Sequence, residues 1–421
     1  MNEPARDRSS LLRGHGGGHA PVSYLELFFD LVYVFAITQV SHVLLKHLSW
    51  TGLAESALLF LAVWWAWMYT TWAANWAEPE RVPVRVMLLF GMLASLVMAV
   101  AMPRAFAHGN QDRGLLFVSA YLSLQVGRTL FMAWALWRED RGAAMTMVRM
   151  ACYFGLSAAC WIAGALAHEP LGRIVLWLAA LLVEYSGPIM GYRTPLLGRS
   201  QPSDWVISGS HMAERCALFI IIALGEGIIV TGASFADLKP DGAHIAAFLV
   251  AFAGSVLMWW IYFDVGAERG ARHIEHHQEP GRVARNAYTY LHMPIVGGVV
   301  VTAVADALIL EAPAGPATPG LILTQCGGLL LFLLGVGLFK RFASPLGNLP
   351  LSHLVGAGLL LALGGWSAWT AVPAIGFVGC TVGVLALVAL WEWGSFHGGW
   401  EERLSRIAPS LAARLKPKRL L

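Results

Sequence analysis

Apolar stretches of about 20 residues recur along nearly the whole chain, each long enough to cross a hydrocarbon core of roughly 30 Å. No other feature limits the fold so strongly. The spacing predicts spans near 24–46, 52–74, 84–105, 114–137, 148–167, 172–192, 205–235, 243–265, 285–310, 318–340, 351–370 and 373–393. Composition agrees: the chain is 57% hydrophobic and 13% charged, against roughly 25% charged residues in an ordinary soluble domain. A water-soluble surface cannot be built from that. The expected fold class is therefore all-α, a polytopic membrane helix bundle of about 12 transmembrane helices, with the lipid bilayer as its first partner.

The ends and loops carry the orientation. Residues 1–22 are polar, rich in Gly and Arg, and lack an apolar core before a small-residue cleavage site, so they read as a disordered cytoplasmic leader and not a cleaved signal peptide. With that end inside, most of the 29 Lys and Arg fall in cytoplasmic loops and in the basic tail, 396–421. The opposite face holds only Lys46, Arg104, Arg113, Arg173 and Lys239, leaving Arg128 and Arg215 within the membrane. The positive-inside bias thus places both termini in the cytoplasm. A formal net charge of +3 is accounted for by this bias, and no nucleic-acid partner is expected. Cys152, Cys160, Cys216, Cys326 and Cys380 all lie in apolar stretches and form no CxxC pair, so they read as small core residues.

The two halves resemble each other at an offset of about 190 to 200 residues. Glu26 opens the first span and Glu214 lies in the seventh; Trp64-Trp65 matches Trp259-Trp260, and Arg81-Val82 with Arg85 matches Arg282-Val283 with Arg285. This suggests a six-helix repeat over 23–200 and a second over 201–395. Six spans return the chain to its starting side, so the repeats would be parallel, related by an axis along the membrane normal.

Charge at the bilayer centre costs about 3 kcal/mol on insertion scales, so ionisable residues there usually face the bundle interior and have partners. Glu26 and Asp30 share one face of the first span, with Thr38, Gln39 and His42 further along. The seventh span holds His211, Glu214, Arg215 and Glu226, the last two about three turns apart on one stripe. Glu184, Asp264, His292 and Asp306 lie in other spans. Two readings fit. In one, these groups are structural ion pairs, such as Arg215 with Asp30 or Glu26 and Arg128 with Glu184. In the other, some of them form an ion or proton path. Seven acids (Glu26, Asp30, Glu184, Glu214, Glu226, Asp264, Asp306) against two arginines in the spans favour a path for cations or protons, because pairing alone cannot neutralise them.

Other signals are weaker. Gly225, Gly227 and Gly232 beside Glu226, and Pro294 with Gly297-Gly298, permit close helix approach or a local break. His273 and His277 have the i, i+4 spacing of a metal pair, as do His15 and His19 in the leader, though polar loops near membranes often contain such pairs by chance. The 18 Trp residues often lie near span ends, as interfacial anchors do.

Three strings are specific. Leu25-Glu-Leu-Phe-Phe-Asp-Leu-Val-Tyr-Val-Phe-Ala-Ile-Thr-Gln39 followed by Ser41-His42, then His211-Met-Ala-Glu-Arg215 running into Ile222-Ala-Leu-Gly-Glu226, then Trp259-Trp260-Ile-Tyr-Phe-Asp264 with Tyr290-Leu-His292-Met-Pro294, occur in that order. Together they resemble the signatures of the bacterial low temperature requirement A (LtrA) family over essentially the whole chain. Gly227 departs from it, since many relatives have a small hydroxyl residue there. The resemblance implies a multi-pass protein of the bacterial plasma membrane; the family name records a growth phenotype and implies no molecular activity. Asp30 with Thr38 is also similar to the first-helix motif of the duplicated six-helix potassium channels of lysosomes and bacteria. There Phe29 stands in place of Ser, and Glu226 replaces the second-half equivalent.

The leading expectation is a transporter or permease with a central polar site on spans one and seven. Glu26, Asp30, Glu214 and Glu226 would take cations or protons, Arg215 would be a charge partner, and His42, His211 and His292 would share protons or contact substrate. A passive cation channel is the nearest alternative. A metal-dependent membrane enzyme has less support, because no nucleophile with a matched base and no phosphate loop is found. A sensory or structural protein would pair all these polar groups and leave no cavity.

Overall fold

The structure is a computed structural model that describes residues 10–13, 21–107, 109–200, 208–236, 241–264, 285–342 and 348–396. It holds 12 helices long and apolar enough to cross a membrane, and their ends differ from the expected ones by two turns at most. They are α1 (Tyr24–Lys46), α2 (Trp50–Trp76), α3 (Val82–Ala101), α4 (Gly114–Leu136), α5 (Arg141–Leu166), α6 (Pro170–Ile189), α7 (Gly209–Ala236), α8 (Gly242–Phe263), α9 (His292–Glu311), α10 (Pro319–Phe342), α11 (Leu351–Trp369) and α12 (Ala374–Phe396). The described residues form only isolated β-bridges. The protein is a multi-pass membrane protein.

Local chemistry sets the helix starts. Ser23 caps α1 in a reciprocal capping box with Glu26. Asp140 and Asp241 accept backbone N–H groups at the starts of α5 and α8. Proline lies in the first turn of α3 and α6, where a missing N–H costs nothing. Of the breaks that glycine and proline permitted, the one in α7 does not form, since that helix runs unbroken past Gly225, Gly227 and Gly232, whereas the ninth span, Arg285–Glu311, changes course near Pro294, which falls in the first turn of α9. What precedes α9 is a π-helical stretch, Arg285–Tyr290.

The chain divides into two compact units, one of residues 1–226 and 274–293, the other of 227–273 and 294–421. In the first, α4 packs on α3 and α5, α5 on α6, and α1 on α2 and α3. Its core is α2, in which Trp64, Trp65 and Trp67 are fully buried. Trp65 stacks on Tyr185 at 3.8 Å and Trp67 meets Phe219 at 4.1 Å. These tryptophans are core residues and not interfacial anchors; that role fits Trp50 and Trp369, which are highly exposed at span ends. In the second unit α8 packs on α12, and α11 on α10 and α12. Trp259 and Trp260, which the sequence matched to Trp64 and Trp65, are exposed, so the two aromatic pairs occupy unlike environments.

Within the leader, residues 10–13 run extended beside the end of α2: Arg13 N–H donates to the Trp76 carbonyl at 2.8 Å and Glu78 N–H to that of Leu11 at 2.9 Å. This local ladder positions the Arg13 side chain for the site below.

Candidate functional site

The site begins with the cap of α1. Glu26 is the third residue of that helix, so its carboxylate folds back to accept the Ser23 N–H at 2.8 Å. The same oxygen, Oε2, lies 3.3 Å from the Arg13 guanidinium. Oε1 faces His211 Nε2 at 2.8 Å and Arg215 at 3.6 Å. His211 is held from its other side by the Asn75 amide, 3.2 Å from Nδ1, and Asn75 in turn bonds the Ser208 backbone through both ends of its amide. With the amide N–H donating to Nδ1, the imidazole presents Nε2–H to Glu26.

One turn on, Asp30 is completely buried. Its Oδ1 accepts the Trp67 indole N–H at 2.8 Å and an Arg215 N–H at 2.7 Å. Arg215 also reaches the Thr71 hydroxyl at 3.4 Å and lies over the Trp67 ring. Asp30 Oδ2, Arg215 Nε and one Arg215 terminal nitrogen are buried without a hydrogen bond among the described residues. The network is thus charge-balanced, Glu26 and Asp30 against Arg13 and Arg215, yet retains free donor and acceptor capacity at its centre. The sequence count of acids over arginines missed Arg13, which enters from outside the spans.

Glu226 lies about three turns beyond Arg215 on α7, buried, with its Oε1 free of any hydrogen bond among the described residues; on α1 the Thr38 hydroxyl donates to the Val34 carbonyl at 3.0 Å. The α1 face therefore supplies two separate polar stations. It does not stay on one side, because Asp30 to His42 is about 120° around a 3.6-residue helix, and His42 is exposed. Glu214 is half-buried. The remaining candidates stand apart. His292 is buried and its Nδ1–H donates to the Ala287 carbonyl at 2.9 Å, closing the π-helical stretch. Asp264 is not a mid-span acid but the exposed C-cap of α8. Asp306, in the second unit, is buried with no hydrogen-bond or ion-pair partner among the described residues. No group of three or more His, Cys, Asp or Glu suited to a metal occurs among the described residues, and the pairs His273–His277 and His15–His19 lie outside them.

Arg128 and Glu184 do not form the expected ion pair. Arg128 bonds the Ala66 carbonyl, the Thr70 hydroxyl and the Gln125 amide oxygen; Gln125 donates to the Tyr121 hydroxyl at 3.1 Å, and Tyr121 donates to Glu184. Ser157 and Trp161 also donate to that carboxylate, at 2.7 and 2.8 Å. A polar relay replaces the direct contact. Sequence reading missed a second cluster altogether. In the second unit Lys340 pairs with Glu392 at 2.6 Å and donates to the Ile261 carbonyl at 2.8 Å, while His353 Nδ1 lies 3.3 Å from Glu392. All three are buried. Each lies in a terminal turn of its span, where a charge ordinarily reaches for the interface; the only signal was that three span ends carried complementary groups.

A family description, bacterial low temperature requirement A protein (LtrA), matches residues 21–390. An uncharacterized protein of Rhizobium meliloti (strain 1021) is 40% identical over 394 residues, covering 92% of this chain and 93% of that one. No solved structure matches. The matched region takes in α1, α2 and α7, which build the network, and nearly all the rest of the bundle: the chain belongs to the bacterial low temperature requirement A family.

Proposed function

We propose that the protein is a cation- or proton-coupled transporter of the bacterial plasma membrane, with both termini cytoplasmic and two parallel six-helix repeats. One observation carries the reading. Two turns into α1, Asp30 is completely buried beside Arg215, and both retain polar atoms without a hydrogen bond among the described residues. A purely structural pair is expected to satisfy those atoms, since an unpaired buried polar group costs about 1–3 kcal/mol. Glu226, buried on α7 with one oxygen unbonded among the described residues, supplies a second carboxylate. In this reading Asp30 and Glu226 exchange the cation or proton, Arg215 is the competing internal cation, and Glu26 with His211 and Arg13 anchors the end of the network.

The charge balance of Glu26 and Asp30 against Arg13 and Arg215 supports a rival reading, in which the network only locks helices together. Proteoliposome flux of protons and monovalent cations separates the two. Asp30→Asn and Glu226→Gln should insert and fold but lose flux; wild-type flux in both variants would sink the transport reading. Saturating, gradient-coupled flux distinguishes a transporter from a passive cation channel.

A further inference from the structure

The second unit holds a cavity of about 720 Å³ between α10 and α11, inside the range of roughly 300–1,000 Å³ usual for small-ligand sites. Its walls include Ile322, Leu323, Leu330 and Leu361, with Gly327 and Gly365 on facing helices. The glycines create the space: a Cβ at either would meet nothing within 4 Å. Leu323 and Leu361 are 59% and 63% exposed, so the cavity is a groove continuous with the outward apolar surface of two membrane spans. Water does not fill such a space, because it needs two to four polar partners, and an empty groove forfeits dispersion contacts along its whole lining. Hydrocarbon fits it.

One end of the groove is different. Ser367 lines it, 5% exposed, and its hydroxyl has no hydrogen bond among the described residues. It lies in the last turn of α11, beside Trp369, which is 91% exposed as an interfacial anchor is. This is the depth at which the ester groups of a glycerolipid lie. A hydroxyl donor without a partner at the head of an apolar groove matches an ester carbonyl above an acyl chain.

We propose that this groove binds one acyl chain of a diacyl glycerophospholipid, whose ester carbonyl accepts the Ser367 hydroxyl. The full chain is reconstituted in vesicles of phosphatidylethanolamine and phosphatidylglycerol, extracted in detergent and measured by native mass spectrometry. The expected result is one retained phospholipid per chain. Gly327→Leu and Gly365→Leu place a side chain in the groove and should lower the retained fraction about tenfold, the loss expected from displacing two buried methylenes, with circular dichroism and melting unchanged. Ser367→Ala should weaken retention of the diester lipid and leave that of its ether-linked analogue as it is. If one leucine variant fails to fold, the other decides. The proposal is overturned if wild type retains no lipid, if folded leucine variants retain it equally, if only free fatty acid is held, or if a second copy of the chain is bound in place of lipid.

Discussion

Replacing Arg215 by Gln probes the centre of the network directly. Arg215 lies 2.7 Å from Asp30 and 3.6 Å from Glu26, and all three are buried. At an effective dielectric of about 20, unit charges roughly 4 Å apart attract by about 4 kcal/mol. Desolvating two charges costs several kcal/mol each, so the intact pair adds little net stability, while removing one partner costs roughly 3–5 kcal/mol. Arg215→Gln should destabilise by that amount. Asp30→Asn should cost about 1–2 kcal/mol, since its amide oxygen still accepts the Trp67 N–H and Arg215 keeps Glu26 nearby. In the double variant no buried charge is stranded at Asp30, so its cost should fall short of the sum by about 2–3 kcal/mol. Cys216, next to Arg215 and 1% exposed, provides the assay: thermal unfolding in detergent followed by a thiol-reactive fluorophore, with the other four cysteines replaced by alanine. Additive losses, or an Arg215→Gln variant as stable as wild type, would refute the argument that the pair is a coupled buried unit.

Two further outcomes are expected in the second unit. Gly298 and Gly328 lie where α9 crosses α10, and a Cβ on Gly298 would meet the Gly328 carbonyl oxygen and the Phe332 nitrogen, each at 2.6 Å; Gly298→Ala should therefore cost at least about 1–3 kcal/mol in the same thermal assay, whereas Gly327→Ala, facing open space, should not destabilise. Glu392→Ala strands Lys340 in the interior and should cost roughly 3–5 kcal/mol, and Lys340→Met in the same chain should restore much of it; equal melting of the single and double variants argues that Lys340 escapes to solvent.

Much of the site was legible in the sequence for a simple reason: a charge in a 20-residue apolar run is so costly that its presence signals a partner. The pairing of Arg215 with Asp30 or Glu26 follows from that rule together with helical spacing, while the contact of Glu26 with His211 emerged only in the structure. The rule fails at span ends. Lys340, His353 and Glu392 lie in terminal turns, where a charge raises no such signal, and the convergence of α10, α11 and α12 buries them together. It fails also where a polar side chain is the go-between, as Gln125 and Tyr121 are for Arg128 and Glu184. Asp264 was misplaced by the reverse error, a terminal acid counted as a central one.

By itself the sequence determined the number of spans, their bounds to within two turns, and the residues too polar for lipid, because bilayer thickness and backbone hydrogen bonding act on each apolar run separately. The tertiary structure alone decided that Arg13 from outside the membrane completes the charge balance, that the tryptophans of α2 form a core, and that Gly327 and Gly365 open a groove while Gly298 and Gly328 close a crossing. Those outcomes depend on which helix faces which, and an apolar run that touches lipid or protein with nearly equal ease carries little record of that choice in its hydropathy.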